Sequence, residues 1–267
     1  MKAYYINLES AVARRIGLED VFTKFAPSGW ALIRVPAIPK AEIRDRKVPG
    51  SITDSEKSCL LSHKRAIEAS LNDNGHTLFL EDDASIGPRG FDALEKLRVL
   101  DQTGIDMVFT SCLIANTELL LKQYLLYRTA IKHGKTELFD MKQLHFAGAD
   151  GYILNEKSKL KLIELLQATT SFDLPYDILL KEWIQKGLLK AVVVFPFLTS
   201  LSADSDQSQL SNENADWNAF RRLLCIDSRF FREKLGEGGY NSLSGIESFT
   251  DEYLRLLKVL LIKYLDY

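Results

Sequence analysis

The sequence predicts an α/β sandwich with a mostly parallel central sheet, followed by a helical C-terminal appendage. Three observations carry that reading. Short apolar runs alternate with amphipathic stretches through the first 195 residues, the pattern of a sheet with helical crossovers. The runs are apolar at consecutive positions, as strands covered on both faces require. The chain has 267 residues, 46% hydrophobic and 26% charged, which suits one large domain with a small addition.

The elements follow in order. Ala3 to Leu8 is a buried strand starting almost at the first residue. The next stretch, to Phe25, carries Leu18, Val21, Phe22 and Phe25 at helical spacing. Trp30 to Val35 is a second strand, closed by Pro36 and Pro39. Lys40 to Ser51 is charged, contains Pro49 and Gly50, and reads as a loop. Thr53 to Glu56 has the capping-box pattern and opens a helix with Cys59, Leu60, Ile67 and Leu71 on one stripe. Thr77 to Leu80 is a strand that stops at three acidic residues. Phe91 to Leu100 reads as a helix and Met107 to Thr110 as a strand. Residues 113–145 read as an irregular excursion, with a helical stretch from Leu119 to Tyr127. Gly151 to Leu154 is a strand, and Asn155 caps a helix running to about Leu166. Pro175 starts another helix, which ends at Gly187. Leu189 to Phe195 is the last strand-like run, and Ser200 to Ala215 is a polar loop. The expected division is a catalytic unit over 1–200 and an appendage over 201–267.

Composition excludes several classes. The formal net charge of −2 gives no basic field for nucleic acid. Cys59, Cys112 and Cys225 are widely spaced, which fits free thiols better than a disulfide framework or a CxxC zinc site. The start, MKAYYINL, reads as a strand rather than a signal peptide. No uncharged apolar run reaches the length of a membrane span. These features lead to the expectation of a cytoplasmic protein.

Three constellations could carry chemistry. Glu81, Asp82 and Asp83 lie at the carboxyl end of a strand, where ligands of α/β sheets bind. Adjacent carboxylates repel unless a cation or donors neutralise them. Such hard oxygen ligands suit Mg²⁺ or Mn²⁺, and a solvated acidic turn is the plainer alternative. Ser62 and His63, inside the capped helix, could hydrogen-bond a ligand near the sheet edge, or His63 could be an ordinary helical histidine. They are adjacent and have no nucleophile elbow, so they are not a hydrolase pair. Asp177 follows Pro175 and Tyr176 at a helix start, where a carboxylate gains from the helix dipole. It could serve as a general base or simply favour the helix. Arg14 and Arg15 follow the first strand and could pair with phosphate. The glycine fingerprints of dinucleotide and P-loop sites are absent.

In this order the pieces resemble glycosyltransferase family 25, the bacterial lipooligosaccharide galactosyltransferase family. Tyr5-Ile6-Asn7-Leu8 with Arg14-Arg15 resembles its opening "INL…RR". Ile52-Thr53 to Glu56, then Cys59-Leu60-Leu61-Ser62-His63, resembles "LT.GE.GC.LSH". Leu78 to Asp83 resembles "LVLEDD". Gly151 to Leu154 and Pro175-Tyr176-Asp177 resemble "AYLIS" and "PVD". Lys57 and Ser58 depart from the pattern, Ser58 standing where the family usually has Gly. The resemblance covers roughly residues 3–200.

The resemblance implies a GT-A-like nucleotide-binding fold, a UDP-sugar donor, Mn²⁺ or Mg²⁺, and inversion at the anomeric carbon. By position it implies Asp83 as the metal ligand, with Glu81 on the metal or the donor. It puts Asn7, Leu8, Arg14, Arg15, Ser62, His63 and Asp82 on the donor side. Asp177 is the expected general base and Asp150 the reserve. The acceptor is expected to be a saccharide or a lipid-linked saccharide of lipooligosaccharide, LPS or capsule. Two other readings compete. One is a Mg²⁺-dependent phosphohydrolase using the same triplet; the other is a non-catalytic domain that binds a nucleotide-sugar or saccharide. Asp251 to Tyr267 reads as a helix apolar on more than one face, which must bury against the catalytic unit, a second copy of the chain, or the inner face of the cytoplasmic membrane.

Overall fold

The computed structural model describes residues 1–97, 100, 104–114 and 136–202. The expected helix at Leu119–Tyr127, the loop beyond Ser202 and the C-terminal helix lie outside the described residues. So do Cys225 and most of the expected acceptor loops.

Among the described residues the central sheet has seven strands. Their spatial order is β2 (Ala31–Pro36), β1 (Lys2–Asn7), β3 (Thr77–Glu81), β9 (Gly151–Leu154), β5 (Met107–Phe109), β10 (Ala191–Phe195) and β7 (Glu137–Asp140). Strands β2, β1, β3, β5 and β10 run in one direction, while β9 and β7 run against them. The sheet is therefore mostly parallel, as the alternation of apolar runs and helices predicts. Two small antiparallel pairs form separate ribbons among the described residues. In one, β4 (Ala84–Ile86) pairs with β11 (Thr199–Leu201); in the other, β6 (Leu113–Ile114) pairs with β8 (Phe146–Ala147).

Strand alternation splits the core into two layers. Tyr4, Ile6, Phe79, Phe109, Tyr152 and Val193 pack on one face, under α3 (Asp54–Ala69), α5 (Ser158–Ala168) and α6 (Tyr176–Gln185). Ala3, Tyr5, Leu78, Leu80, Val108 and Ile153 pack on the other, under α1 (Val12–Phe25) and α4 (Pro88–Lys96). This makes a three-layer sandwich. On the second face Phe91 meets the rings of both Phe22 and Trp30 edge-on, at 4.9 and 5.7 Å. Trp183 is buried in the first.

Several local expectations meet the structure closely. Thr53 and Glu56 form the full capping box of α3: Glu56 accepts from the Thr53 amide at 2.8 Å and donates its own amide to Thr53 Oγ1 at 3.3 Å. Gly187, at φ +76, follows α6. Others differ. The segment read as a loop after Pro39 begins with a short helix, α2 (Lys40–Asp45), whose Ile43 is 1% exposed and anchors it on the core. Tertiary burial there outweighs the charge of the segment. Helix α4 starts three residues earlier than read, because Pro88 sits in its first turn, where the missing N–H costs nothing. Asn155 is not the cap of α5. It closes the turn before it, holding Leu100 O and Ile105 O through Nδ2.

Candidate functional site

The parallel register of β1 and β3 sets Ile6 beside Glu81. The two chains then leave the sheet together, so Asn7 and the acidic triplet share one edge. After β1 the chain turns at once into α1, with the Ala11 amide donating to Leu8 O at 3.0 Å. The N-terminus of α1 and the end of β3 face a cleft of about 320 Å³. Leu8, Arg14, Lys40, His63, Glu81 and Asp82 are among its lining residues. Amides at a helix N-terminus and nearby cations make such a wall favourable to anions.

Asn7 organises this edge from beneath. It is 1% exposed, donates through Nδ2 to Asp82 Oδ2 at 2.7 Å and to Ala11 O at 3.1 Å, and accepts from Arg34 Nε at 2.9 Å. Arg14 lies 3.1 Å from Asp82 Oδ1 and 3.6 Å from Asp83 Oδ2. One guanidinium thus offsets part of the repulsion within the triplet. Asp83 is buried, and its carbonyl accepts from the Ser202 amide at 2.7 Å. Arg15 points elsewhere, 3.7 Å from Glu9, outside the cleft lining.

Helix α3 supplies the opposite wall. Ser62 lines the cleft, but its hydroxyl is engaged: it donates to Ser58 O at 2.6 Å and accepts from the Ile38 amide at 2.8 Å. Ser58, standing in place of the family's glycine, is accommodated by donating its hydroxyl to Ile38 O. Lys57, also a departure, reaches Val48 O at 2.9 Å. His63 is 1% exposed and stacks on Tyr176 with ring centres 4.2 Å apart. Its Nδ1 is 3.1 Å from Tyr152 Oη, which is 2.9 Å from Tyr176 Oη, and its Nε2 is 3.5 Å from Glu81 Oε1. Burial drives its pKa down to about 3 against the opposing field of Asp177, so the ring is neutral. Burial, with help from Glu81, Asp177 and Asp83, pushes the Cys59 thiol well up.

Neither expected base candidate lines the cleft; Asp150 lies behind the triplet, and Asp177 sits at the start of α6. Strand β9 is reversed, so its first residues reach the same edge as the last residues of β3. Asp150 is 5% exposed, and both its carboxylate oxygens are 2.7 Å from Ser111 Oγ. Desolvation, reinforced by Glu81 and Asp83, raises its pKa to about 7 against the lowering effect of Ser111. Gly151 follows for a steric reason: a Cβ there would come within 2.4 Å of Thr110 Oγ1 and 2.8 Å of Thr199 Oγ1. Asp177, in the first turn of α6, accepts from the Gly148 amide at 2.7 Å and the Ile178 amide at 2.9 Å. It is partly exposed.

The structure therefore brings Leu8, Arg14, Ser62, His63, Glu81 and Asp82 to one cleft. It sets Asn7, Asp83 and Asp150 beneath or behind that cleft and leaves Arg15 outside it. Cys59 and Lys40 also line the cleft and are absent from the site predicted from sequence. The spacing of Cys59 and His63, one turn apart on a capped helix, is the signal that could have found the first. Lys40 was hidden by reading its segment as a loop.

Among solved structures the chain is similar to mouse xyloside xylosyltransferase 1 in its apo form, at 10% identity and a TM-score of 0.35 over 70% of each chain. No curated protein matches the sequence. The family model of glycosyltransferase family 25, described as LPS biosynthesis protein, matches residues 1–180, which include both cleft walls, Asp150 and Asp177. The chain belongs to glycosyltransferase family 25.

Proposed function

We propose that the chain is an inverting, metal-dependent glycosyltransferase that moves a hexose, galactose as the default, from a UDP-sugar to a hydroxyl of a lipooligosaccharide, LPS or capsule saccharide. One observation carries this reading: the α1 N-terminus, Arg14 and the Glu81–Asp83 triplet meet at a single sheet edge. The first two suit a diphosphate, and the third suits a divalent cation. Membership of a glycosyltransferase family supports this reading over a phosphohydrolase or a non-catalytic domain.

The donor set fits the implied Mn²⁺ or Mg²⁺, because Glu81 offers a hard carboxylate at the cleft and Asp83 a second one buried just behind it. When bound, that ion would stabilise negative charge on a departing diphosphate. Arg14 orients the triplet and adds positive charge on the phosphate side. Leu8 and the α1 amides form the floor on which the nucleotide rests. Asp177 takes the proton of the acceptor hydroxyl, whose oxygen then displaces the nucleoside diphosphate from the opposite face of the anomeric carbon. Its partial exposure makes it the more accessible base; each oxygen holds one amide and keeps a lone pair. Asp150 is the reserve base, nearly enclosed but tuned to neutral pH. No helix among the described residues is long and apolar enough to cross a membrane. A lipid-linked acceptor would be met at the inner face of the cytoplasmic membrane.

The test is a screen of UDP- and GDP-sugars against saccharide acceptors, with and without Mn²⁺. The reading expects UDP release that needs a divalent ion and an acceptor, with UDP-galactose the best donor. Release from GDP-sugars alone, or transfer insensitive to chelator, overturns the donor or the metal assignment respectively.

A further inference from the structure

We propose that Cys59, His63 and Glu81 form a binding site for a thiophilic divalent cation, zinc by donor chemistry, distinct from the hard-cation site proposed at the acidic triplet. One sulfur, one nitrogen and one oxygen donor from these residues all lie within 4.8 Å of one another. The mixed set is what zinc takes in sites with three protein ligands and one open position. Mg²⁺ and Mn²⁺ prefer oxygen alone.

Backbone geometry supports the assignment. Cys59 and His63 are one turn apart on α3, so both side chains project from one face of a helix whose start is locked by the Thr53–Glu56 box. Glu81 comes from the end of β3, opposite them, with Oε1 3.5 Å from His63 Nε2. That separation is long for a hydrogen bond and close to the edge of a tetrahedral shell around a zinc ion.

The imidazole is also supported from behind, as metal-bound histidines usually are. Nδ1 meets Tyr152 Oη at 3.1 Å, and that hydroxyl meets Tyr176 Oη at 2.9 Å. When Nδ1–H donates to Tyr152 and Tyr152 donates to Tyr176, Nε2 is left with a bare lone pair facing a carboxylate. Two acceptors in that arrangement repel, and a cation between them removes the repulsion. Stacking on Tyr176, with planes only 14° apart, fixes the ring. All three ligands line the cleft, so the fourth position opens toward the proposed donor site. Glu81 is common to both sets, and zinc occupancy would withdraw it from the hard-cation site.

The test uses the full chain, stripped of metal and titrated with Co²⁺ and then Zn²⁺. The site predicts a thiolate-to-cobalt charge-transfer band that Zn²⁺ bleaches and a large excess of Mg²⁺ leaves alone. Cys59→Ser should abolish the band, and Cys225→Ser should keep it. Tyr152→Phe and Glu81→Gln retain the thiol and should keep the band while weakening Zn²⁺ binding, Tyr152→Phe by about 10–100-fold. No band in the parent, or a band that survives Cys59→Ser, overturns the site, as does unchanged affinity in both Tyr152→Phe and Glu81→Gln. If Cys59→Ser fails to fold, the other two variants decide. Because the readout is metal binding, a chain that transfers sugar with Mg²⁺ but shows no band rejects this site and leaves the transferase reading intact.

Discussion

The backbone amide of Glu81 donates to the carbonyl of Asp150 at 2.9 Å. Two carboxylates distant in sequence therefore start from adjacent points of the sheet edge, and each raises the cost of ionising the other. Burial, reinforced by Glu81 and Asp83, raises the pKa of Asp150 to about 7. A carboxyl raised in the folded state binds its proton more tightly there than in the unfolded chain. Below about pH 4 it is protonated in the folded and the unfolded chain alike. Between there and pH 7 the folded state holds the extra proton, so stability falls as pH rises. Asp150→Asn should remove this dependence. Without added metal, its melting temperature relative to the parent should rise from pH 4 to 7.5, by an amount equivalent to up to roughly 4 kcal/mol. A difference that stays flat across the window contradicts the buried-acid assignment.

Asp83→Ala should abolish transfer without unfolding the protein. Removing one of three crowded carboxylates relieves repulsion and leaves the Arg14–Asp82 pair in place. Melting without metal should stay level or rise, and any Mn²⁺-induced stabilisation of the parent should shrink. Calorimetry with and without Mn²⁺, alongside a transfer assay, checks both halves. Full activity in the variant rejects Asp83 as a ligand.

Asn7→Ala should weaken both the fold and the donor site. Its amide bridges Asp82, Ala11 and Arg34, and truncation leaves buried partners unsatisfied. The expected loss is about 2–3 kcal/mol in urea denaturation. The KM for the donor should rise, because Asp82 and the α1 start lose a common anchor. Unchanged stability would mean that water replaces the amide at no cost.

Asp177→Asn should lower turnover by roughly 10²–10⁴-fold while donor affinity changes little. The amide retains an oxygen that can accept from Gly148 and loses the proton acceptor. A loss of only a few-fold would make Asp177 a helix-starting residue. Asp150→Asn then becomes the decisive variant, with loss of a rate limb near pH 7 as its signature.

Much of the site was legible because its chemistry sits at element ends. Glu81 to Asp83 ends an apolar run, Asp177 follows a proline, and Thr53 and Glu56 announce α3. Each is a local signal, and each element formed where its signal stood. What could not be read was direction. Gly151 to Leu154 reads as a strand in either orientation, and only its reversal between β3 and β5 carries Asp150 to the acidic edge. The role of Asn7 was equally hidden. Its place at the end of the first strand was legible, but its partners Arg34, Ala11 and Asp82 become visible only when those elements pack. Cys59 looked like one apolar residue in a stripe, and its alignment with His63 and Glu81 depends on the distance between α3 and β3.

Among the described residues each core layer holds one tryptophan, Trp30 against Phe22 and Phe91, and Trp183 on the buried face of α6. The chain has three in all, the other being Trp217. Single-tryptophan versions therefore give each side of the sheet its own fluorescence signal. Coincident transitions would mean that the central sheet binds both layers into one cooperative unit; separate ones would mean that either can melt while the other stands.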